Sequence, residues 1–425
     1  MKETRDCQTS PGKVRRFFAA LGPGLITGAS DDDPSGIGTY SIAGAQFGYS
    51  TLWTAWFLFP LMAAVQLMCA RLGMVSGRGL GGLLRIHYGR WVLWPACLLL
   101  TIANTINIAA DLGGMAAATS MMTGLSAAWF TPVYAIAIVV LMVWSSYRCI
   151  ASIFKGLTLV LFAYVVAAVL AHPDWHSVLV RTFVPELSNS RTYMATLLAV
   201  LGTTISPFLF FWQATQEVEE EREKGRTTVA MRQGATKAEE RASRIDVITG
   251  MLFSNVIMYF IVLTTAATLH AHGKTSIQTV EQAAEALRPL AGNATYLLFT
   301  VGLIGTGMLS VPVLGASTAF AIAEGAGWRN SLEYRPRRAP EFYGVLIVAV
   351  LLAAALNYAG FGVVPMLFWS AVLNGVLAPP LIVMVVLLSS NRRIMGDHAA
   401  SPLLRVLGWL TAAVMLAASV ALFIL

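Results

Sequence analysis

The sequence predicts an all-α polytopic membrane protein with eleven transmembrane helices, built as a five-plus-five inverted repeat with one extra helix. The first and sixth helices are predicted to be broken. Three observations lead to this fold class. Of the 425 residues, 56% are hydrophobic and only 12% are charged, about half the charged share of an average soluble protein. Apolar stretches of about 20 residues recur along the chain, and two of them carry a proline beside polar residues. A soluble enzyme, a disordered chain and a secreted disulfide scaffold are excluded.

The helices follow from eleven apolar segments. They span residues 17–45, 50–70, 92–120, 131–147, 152–171, 194–216, 247–269, 293–323, 342–359, 363–389 and 403–424. With the N-terminus inside, 25 of the 29 Lys and Arg residues fall in inner loops. Because cytoplasmic loops are enriched in Lys and Arg, this predicts a cytoplasmic N-terminus and an external C-terminus. The membrane is expected to be a bacterial-type cytoplasmic (inner) membrane.

The segments divide the chain into predicted regions. These are a cytoplasmic tail (1–16), a first repeat of five helices (17–171), a second repeat of five (194–389) and the extra helix (403–424). The inner loop 217–246 is charged, and we predict a solvated, partly helical extension of the sixth segment, with a regulatory or metal-gathering role as a minor alternative. The Gly-rich stretch 76–82 lacks the Lys-Ser/Thr ending of a phosphate loop and is predicted to be an inner turn.

The net charge and the cysteines do not indicate further partners. The formal charge of +7 is explained by the inner loops, so no nucleic-acid partner is predicted. Cys7, Cys69, Cys97 and Cys149 form no CxxC pair, and we interpret them as free thiols. The lipid bilayer is the expected surrounding, with no obligate protein partner and no cofactor.

The first segment carries Asp31, Asp32 and Asp33 near its middle. One ionised aspartate there costs about 2.5–3.5 kcal/mol, so three adjacent ones need protons, water or a cation. Asp33 followed by Pro34 is typical of an N-cap with a first-turn proline. The helix is therefore predicted to stop and restart at this point.

The sixth segment has the same pattern, with Ser206 as a second N-cap candidate before Pro207. The first repeat has five helices, and an odd number places the second copy in the opposite orientation. This arrangement is typical of inverted-repeat transporters, whose site lies at two facing breaks near the midplane. Unwound carbonyls and helix C-termini there add partial negative charge, which favours a cation.

Several landmarks resemble one family. They are Gly22-Pro-Gly24, Asp33-Pro34, Ala43-Gly-Ala-Gln-Phe-Gly-Tyr49, Ala110-Asp-Leu112 and Asn391-Arg-Arg-Ile-Met-Gly396. Over most of its length the chain resembles the Nramp divalent-metal transporters, and more closely their divergent Nramp-related branch. This resemblance implies a leucine-transporter-type fold, which agrees with the inverted repeat, and a divalent metal ion as the transported substrate.

The family pattern differs here at the site. Asp33 matches the family's metal-binding carboxylate, but Gly36 stands where the family has an asparagine. Ser206 replaces the family's methionine ligand, and Phe208 replaces a histidine linked to proton movement. Thr203 falls where the family offers a backbone carbonyl.

Other residues of the pathway are also assigned by the resemblance. Asp111 matches a family acid on the proton route, Asn104 stands where the family has a glutamate, and Gln213 aligns with a later histidine. Asn374, near the middle of the tenth segment, can face the pathway, and a helix–helix hydrogen bond explains it equally well.

These substitutions predict an oxygen-rich site. Its candidate ligands are Asp33 with Asp32 or Asp31, the hydroxyls of Ser206 and Thr204, and carbonyls around Ala29, Ser30 and Thr203, with Gly36 leaving room for water. Without a soft thioether, selectivity against hard ions relaxes, and Mg²⁺ prefers a site that lets it keep several waters. The hypothesis is transport of Mn²⁺ and Mg²⁺, with Fe²⁺ as a further candidate.

Proton coupling is predicted to be weak or absent, because the histidines and glutamates of the family's proton route are replaced. Three alternatives remain: a proton-coupled Mn²⁺/Fe²⁺ symporter, a sodium-coupled organic-solute transporter of the same fold, and an intramembrane aspartyl protease. Three consecutive aspartates disfavour the second, and the absence of a glycine-flanked protease motif disfavours the third.

Overall fold

The protein's architecture comes from a computed structural model that describes residues 23–144 and 159–424. Within these ranges the regular structure is helical, with no strand. The predicted tail 1–16, the start of the first segment, Cys7 and Cys149, and the junction of the fourth and fifth segments lie outside the described residues.

Nineteen α-helices follow one another in the described ranges. They are α1 (Pro23–Asp31), α2 (Pro34–Phe47), α3 (Trp53–Ser76), α4 (Leu80–His87), α5 (Arg90–Thr123), α6 (Ala127–Trp144), α7 (Ala163–Leu170), α8 (Trp175–Phe183), α9 (Arg191–Thr204), α10 (Pro207–Glu223), α11 (Val229–Arg232), α12 (Lys237–Thr268), α13 (Val280–Ala284), α14 (Arg288–Ala291), α15 (Thr295–Ala326), α16 (Pro340–Leu356), α17 (Val363–Ser390), α18 (Arg392–Met395) and α19 (Pro402–Ile424). Short 3₁₀ turns are Gly48–Thr51, Leu159–Phe162, His270–His272, Glu285–Leu287, Gly292–Ala294, Pro336–Arg338 and Gly396–His398.

Eight helices in the described ranges, counting α9 with α10 as one, are long and apolar enough to cross a membrane. Two shorter apolar helices cover 160–170 and α16. The all-helical polytopic class is therefore confirmed. The count of eleven spans and the repeat boundaries stay predictions.

Two interruptions position the site. The helix α1 ends at Asp31 and α2 begins at Pro34, and we call residues 32–33 between them the first break. The helix α9 ends at Thr204 and α10 begins at Pro207, and residues 205–206 form the second break. Each new helix starts with a proline, which has no N–H to lose at the first helical position.

The first break lies in the centre of the helix bundle. The helix α12 packs along both α1 and α2, α9 contacts α2, and α10 contacts α1. The α9–α10 pair is almost entirely buried, whereas α6 exposes most of its surface. A Cβ on Gly28 would overlap the carbonyl of Gly250, so α1 meets α12 backbone to backbone. This contact brings the carboxylates after Gly28 against α12.

The charged run 217–246 is only partly as predicted. The helix α10 continues to Glu223, so the helical extension is confirmed. The prediction of a solvated segment is wrong for three of its acids, because Glu217, Glu219 and Glu221 are 5%, 7% and 2% exposed.

Each of these acids is held by a neighbour. Glu217 accepts a hydrogen bond from Ser243 at 2.8 Å and Glu219 accepts one from Ser331 at 2.6 Å. Glu221 pairs with Lys224 at 2.9 Å and also with Arg226. Sequence alone does not indicate this burial, since acids at every second position otherwise suggest a solvated helix face.

Candidate metal site

Three adjacent carboxylates lie deep inside the fold at the first break. Asp31, Asp32 and Asp33 are 1%, 0% and 2% exposed. None of them forms an ion pair with a Lys, Arg or His side chain in the ranges that the structure describes. Buried carboxylates without a cationic partner are costly unless protons or a bound cation neutralise them.

Asp33 caps α2 and is anchored by a second helix. Its Oδ1 accepts hydrogen bonds from the Gly36 amide at 2.6 Å and from the Ser35 hydroxyl at 3.0 Å. Its Oδ2 accepts one from the Asn107 amide of α5 at 2.9 Å. The carboxylate is therefore fixed in orientation at the start of α2, where the helix dipole also favours negative charge.

Asp111 lies one turn beyond Asn107 on α5 and extends this network. It accepts hydrogen bonds from the Ser35 amide at 3.2 Å and from the Ser310 hydroxyl of α15 at 3.0 Å. The first turn of α2 is thus held between α5 and α15, and Asp111 lies beside the Asp33 carboxylate without a direct hydrogen bond to it.

Asp31 and Asp32 face a different helix. The Ser254 hydroxyl of α12 lies 2.7 Å from Asp31 Oδ2 and 3.3 Å from Asp32 Oδ1. These contacts do not favour the hypothesis that the side chain of Asp32 or Asp31 joins Asp33 as a ligand. These contacts turn the two carboxylates toward α12, whereas Asp33 is held by Asn107 of α5.

At the second break, the hydroxyl groups form hydrogen bonds with nearby carbonyls of α9. The Ser206 hydroxyl lies 2.8 Å from the carbonyls of both Gly202 and Thr203. The Thr204 hydroxyl donates to the Val200 carbonyl at 2.8 Å, which directs it back along α9. Ser206 has a cap backbone conformation but makes no side-chain cap hydrogen bond. Its oxygen keeps lone pairs that a cation can use.

Gly36 lies where the two breaks meet. A Cβ at this position would lie 3.1 Å from Thr203 Oγ1, 3.3 Å from the Asp31 carbonyl and 3.3 Å from Asp33 Oδ1. Oxygens from both interrupted helices therefore converge on Gly36, and a larger residue there would be crowded against them.

Three other predicted residues lie on helices around the site. Ser30 donates its hydroxyl to the Ile26 carbonyl at 2.7 Å. Asn104 joins α5 to α15 by donating to Thr318 at 2.9 Å. Asn374 is buried in α17, and its Oδ1 has no hydrogen-bond partner among the described residues.

Phe208 and Gln213 extend from the second break along α10. Phe208 is buried, and its carbonyl accepts a hydrogen bond from Ser317 at 2.8 Å. Gln213 accepts a hydrogen bond from Thr27 of α1 at 2.6 Å and donates one to Glu217 at 3.0 Å. The neutral side chain of Gln213 thus links α1 to α10.

The sequence and fold were compared with known proteins. The family described as "Natural resistance-associated macrophage protein-like", or Nramp, matches residues 24–425. The chain belongs to the Nramp family.

Several bacterial relatives of this Nramp chain share one name. The "Divalent metal cation transporter MntH" of Brucella suis is 26% identical over 414 residues, covering 95% of this chain and 88% of the relative. The protein of that name from Mesorhizobium japonicum is 28% identical over 421 residues, covering 95% of this chain and 87% of the relative. Family membership confirms the expectations of a transporter, not an enzyme, in which metal is cargo.

Solved structures agree on the fold. The Eremococcus coleocola manganese transporter, in complex with an aromatic bis-isothiourea compound, has a TM-score of 0.73 at 19% identity, covering 98% of this chain and 87% of that one. Mhp1, a nucleobase-cation-symport-1 family transporter, has a TM-score of 0.61 at 12% identity, covering 95% of this chain and 90% of that one. The Nramp chain shares the architecture of both.

The sequence did not predict three residues that anchor the acids. Ser254 contacts Asp31, Ser310 contacts Asp111, and Asn107 contacts Asp33. The available signal is a polar residue inside an apolar helix, as at Ser254-Asn255 in the seventh segment. Serine alone is a weak signal, because it often satisfies itself on its own helix carbonyls.

The arrangement can hold a hard cation through oxygens. No group of three His, Cys, Asp or Glu side chains in ligand geometry occurs within 23–144 and 159–424. A cation here would use one or two carboxylates, carbonyls, hydroxyls and water. Asp31 Oδ1, Asp32 Oδ2 and Asn107 Oδ1 are among the buried oxygens that have no hydrogen-bond partner in the described ranges. Such unpaired acceptors need a donor or a cation.

Proposed function

We propose that this Nramp protein is a secondary transporter that moves divalent metal cations, Mn²⁺ and Mg²⁺ in the first place and Fe²⁺ as a further substrate, by alternating access. The observation that carries the proposal is the convergence of oxygens at Gly36, where Thr203 Oγ1, the Asp31 carbonyl and Asp33 Oδ1 all lie within 3.3 Å of the position that a Cβ would take. The MntH relatives, named as divalent metal cation transporters, support the choice of substrate class.

The proposed ligands are Asp33, with Asp32 as an outer charge, the hydroxyl of Ser206, the oxygens of Thr203, the carbonyls near Ser30, and water beside Gly36. All are hard oxygen donors, which suit Mn²⁺ and Mg²⁺. Ser206, at the position of the family's thioether, removes the soft ligand that would discriminate against Mg²⁺. The amide oxygen of Asn107 lacks a partner and supplies one further donor beside Asp33.

Proton coupling is proposed to be weak or absent. Gln213 and Phe208 occupy the family's histidine positions, and neither titrates. Asn104 donates to a carbonyl and a hydroxyl of α15, so it has a structural role in this chain.

A proton-coupled symporter is the second candidate, and Asp111 is the observation that favours it. This carboxylate is fully buried, lies on α5 near Asp33 and contacts Ser310 of α15, so it connects the site with a second helix. A single titratable carboxylate in such a position can carry a proton.

Flux in proteoliposomes tests both candidates. Uptake of Mg²⁺, Ca²⁺, Mn²⁺ and Fe²⁺ is compared with the pH recorded on both sides, using Asp33→Ala as the blank. We expect Mn²⁺ and Mg²⁺ to enter and compete, without acidification of the lumen. Metal-driven acidification would favour the symporter, and Mg²⁺ that neither moves nor competes with Mn²⁺ would overturn the hard-site proposal.

We also propose a bacterial-type inner-membrane location with the N-terminus inside and no requirement for a partner chain. The distribution of Lys and Arg supports the orientation. In a background with its four cysteines replaced by serine, Arg241→Cys is expected to resist an impermeant thiol reagent in intact cells and Ser188→Cys to react. The reverse labelling would contradict the orientation.

A further inference from the structure

A cavity with several arginines lies on the side of the bundle that carries the charged run, away from the two breaks. Its volume is about 490 Å³, and its walls come from the turn after α3, from α4, α10 and α11, and from the end of α15. Its charged lining residues are Arg78, Arg85, Arg222, Arg232 and Glu324. None of them takes part in the proposed metal site.

Two of the arginines already have partners inside the protein. Arg222 pairs with Glu219 and donates to the Asn330 carbonyl at 2.7 Å. Arg232 donates to the Thr227 carbonyl at 2.8 Å and to the Gly77 carbonyl at 3.3 Å. These contacts orient the two guanidinium groups beside the cavity.

The other two arginines have no acidic partner. Neither Arg78 nor Arg85 forms an ion pair with any acid in the part of the chain that the structure describes. The positive charges also act on one another: burial and then the nearby charge of Arg222 lower the pKa of Arg232, and Arg78 adds a smaller effect that Glu219 opposes. Like charges that face one cavity are stabilised when an anion joins them.

The one carboxylate in the lining is engaged elsewhere. Glu324 accepts hydrogen bonds from the Gly82 amide at 3.1 Å and from the Thr215 hydroxyl at 3.2 Å. Glu324, on α15, thereby joins α4 to α10. Because Glu219 balances Arg222, three further arginines (Arg78, Arg85 and Arg232) against one hydrogen-bonded glutamate leave the cavity positive.

The glycine-rich turn is what builds this cavity. Gly77 has a φ of +66° and packs so closely that a Cβ would lie 2.8 Å from the Cβ of Arg232. A Cβ on Gly79 would overlap the carboxylate of Glu324. Between these two glycines the chain presents Arg78, which explains the Gly-Arg-Gly sequence in this turn.

We propose that this cavity binds a phosphate group carried by a larger anion, either a soluble phosphate ester or the headgroup of an anionic lipid. Guanidinium groups match phosphate oxygens through paired hydrogen bonds. The volume lies in the range of small-molecule sites and exceeds that of a single inorganic ion. Trp328 and Ile86, 42% and 52% exposed, add an apolar wall for the rest of the molecule.

The test uses the purified full chain without divalent metals, so its outcome does not depend on metal transport. In neutral-lipid nanodiscs, pyrophosphate is titrated by calorimetry with the Tm recorded. In a second arm, native mass spectrometry counts phosphatidylglycerol retained from mixed nanodiscs. The paired variant Arg78→Gln with Arg85→Gln is compared with Arg241→Gln with Arg244→Gln, an exposed pair on α12 outside the cavity.

We expect the cavity pair to weaken binding about tenfold or more and the α12 pair to leave it nearly unchanged, since charge-assisted hydrogen bonds are the strong ones. Pyrophosphate binding would identify a soluble ester as the source, and binding of lipid alone would identify a headgroup. Arg78→Lys with Arg85→Lys is expected to retain part of the affinity and controls for folding. No binding in either arm, or equal losses in both glutamine pairs, would overturn the proposal.

Discussion

The two breaks look alike in sequence and differ in how their polar groups are satisfied. At the first break, Asp33 and Asp31 reach other helices, through Asn107 of α5 and Ser254 of α12. At the second break, the hydroxyls of Thr204 and Ser206 bond to carbonyls of their own helix. The carboxylates of the first break are therefore bound by neighbouring helices, whereas the hydroxyls of the second break are uncharged and bond locally. This difference suggests that the first break sets cation affinity and the second sets which cation is preferred.

Asp33→Asn is expected to have the largest effect, and it tests whether the first break sets the cation affinity. Asparagine is also a good N-cap, so the start of α2 should survive. We expect Mn²⁺ binding to fall about 100-fold or more, because a ligand charge costs more than the outer-shell partners that are worth about 10–100-fold. Calorimetry on purified protein measures it.

Asp174→Asn is the matched control for Asp33→Asn. Asp174 caps α8 in the same way, accepting from the His176 amide at 3.1 Å, but it lies on the surface. Metal affinity should be unchanged there. Equal losses at both positions would mean that the effect is structural and that Asp33 carries no special charge role.

Ser254→Ala tests whether α12 supports the first break. It leaves the buried carboxylates of Asp31 and Asp32 without their shared hydroxyl. We expect the unfolding free energy to fall by about 1–3 kcal/mol, the usual cost of an unsatisfied buried group. Saturating Mn²⁺ should recover part of the lost Tm if cation charge compensates these acids.

Thr264→Ala provides the comparison for Ser254→Ala. It removes another buried hydroxyl of α12, one that donates to the Tyr164 carbonyl away from the acids. A Tm loss there that Mn²⁺ recovers equally would contradict an electrostatic role for Ser254.

Ser206→Met tests the selectivity assigned to the second break. A thioether is a soft ligand, so Mg²⁺ competition against Mn²⁺ should weaken by about tenfold, or about 1.4 kcal/mol. Uptake of Mn²⁺ at increasing Mg²⁺ measures the ratio. Ser206→Ala removes the hydroxyl without adding sulfur. If alanine changes the ratio as much as methionine, ligand softness is not the cause.

Gly36→Ala probes the meeting point of the breaks with the smallest expected effect. Its Cβ would lie 3.1 Å from Thr203 Oγ1, so the neighbours must shift by a few tenths of an ångström. We expect about a threefold loss of Mn²⁺ affinity, close to 0.7 kcal/mol. Gly89→Ala, which meets no atom within 4 Å, is the control. Improved affinity in Gly36→Ala would show that the site does not need a residue without a side chain at this position.

The positions where helices restart could be predicted because they depend on local chemistry. Asp33-Pro34 and Ser206-Pro207 are cap-and-proline pairs, and α2 and α10 begin at these prolines. The capping carboxylate of Asp33 follows from the same local rule.

The partners of the acids could not be predicted in the same way. Ser254 lies 223 residues from Asp31, and Ser310 lies 199 from Asp111. Such contacts depend on how helices rotate and pack, and an apolar helix with one serine fits many rotations. The burial of Glu217 likewise depends on Ser243 of α12, which sequence spacing does not connect with it.

The bonded chain from Thr27 through Gln213 to Glu217 and Ser243 ties α1, α10 and α12 together on one side of the bundle. Any tilt of α1 away from α10 must break the Thr27–Gln213 link and rehydrate both groups before new contacts form. Breaking this hydrogen bond adds to the activation enthalpy of the helix movement. Turnover in this protein should therefore depend more steeply on temperature than metal affinity does.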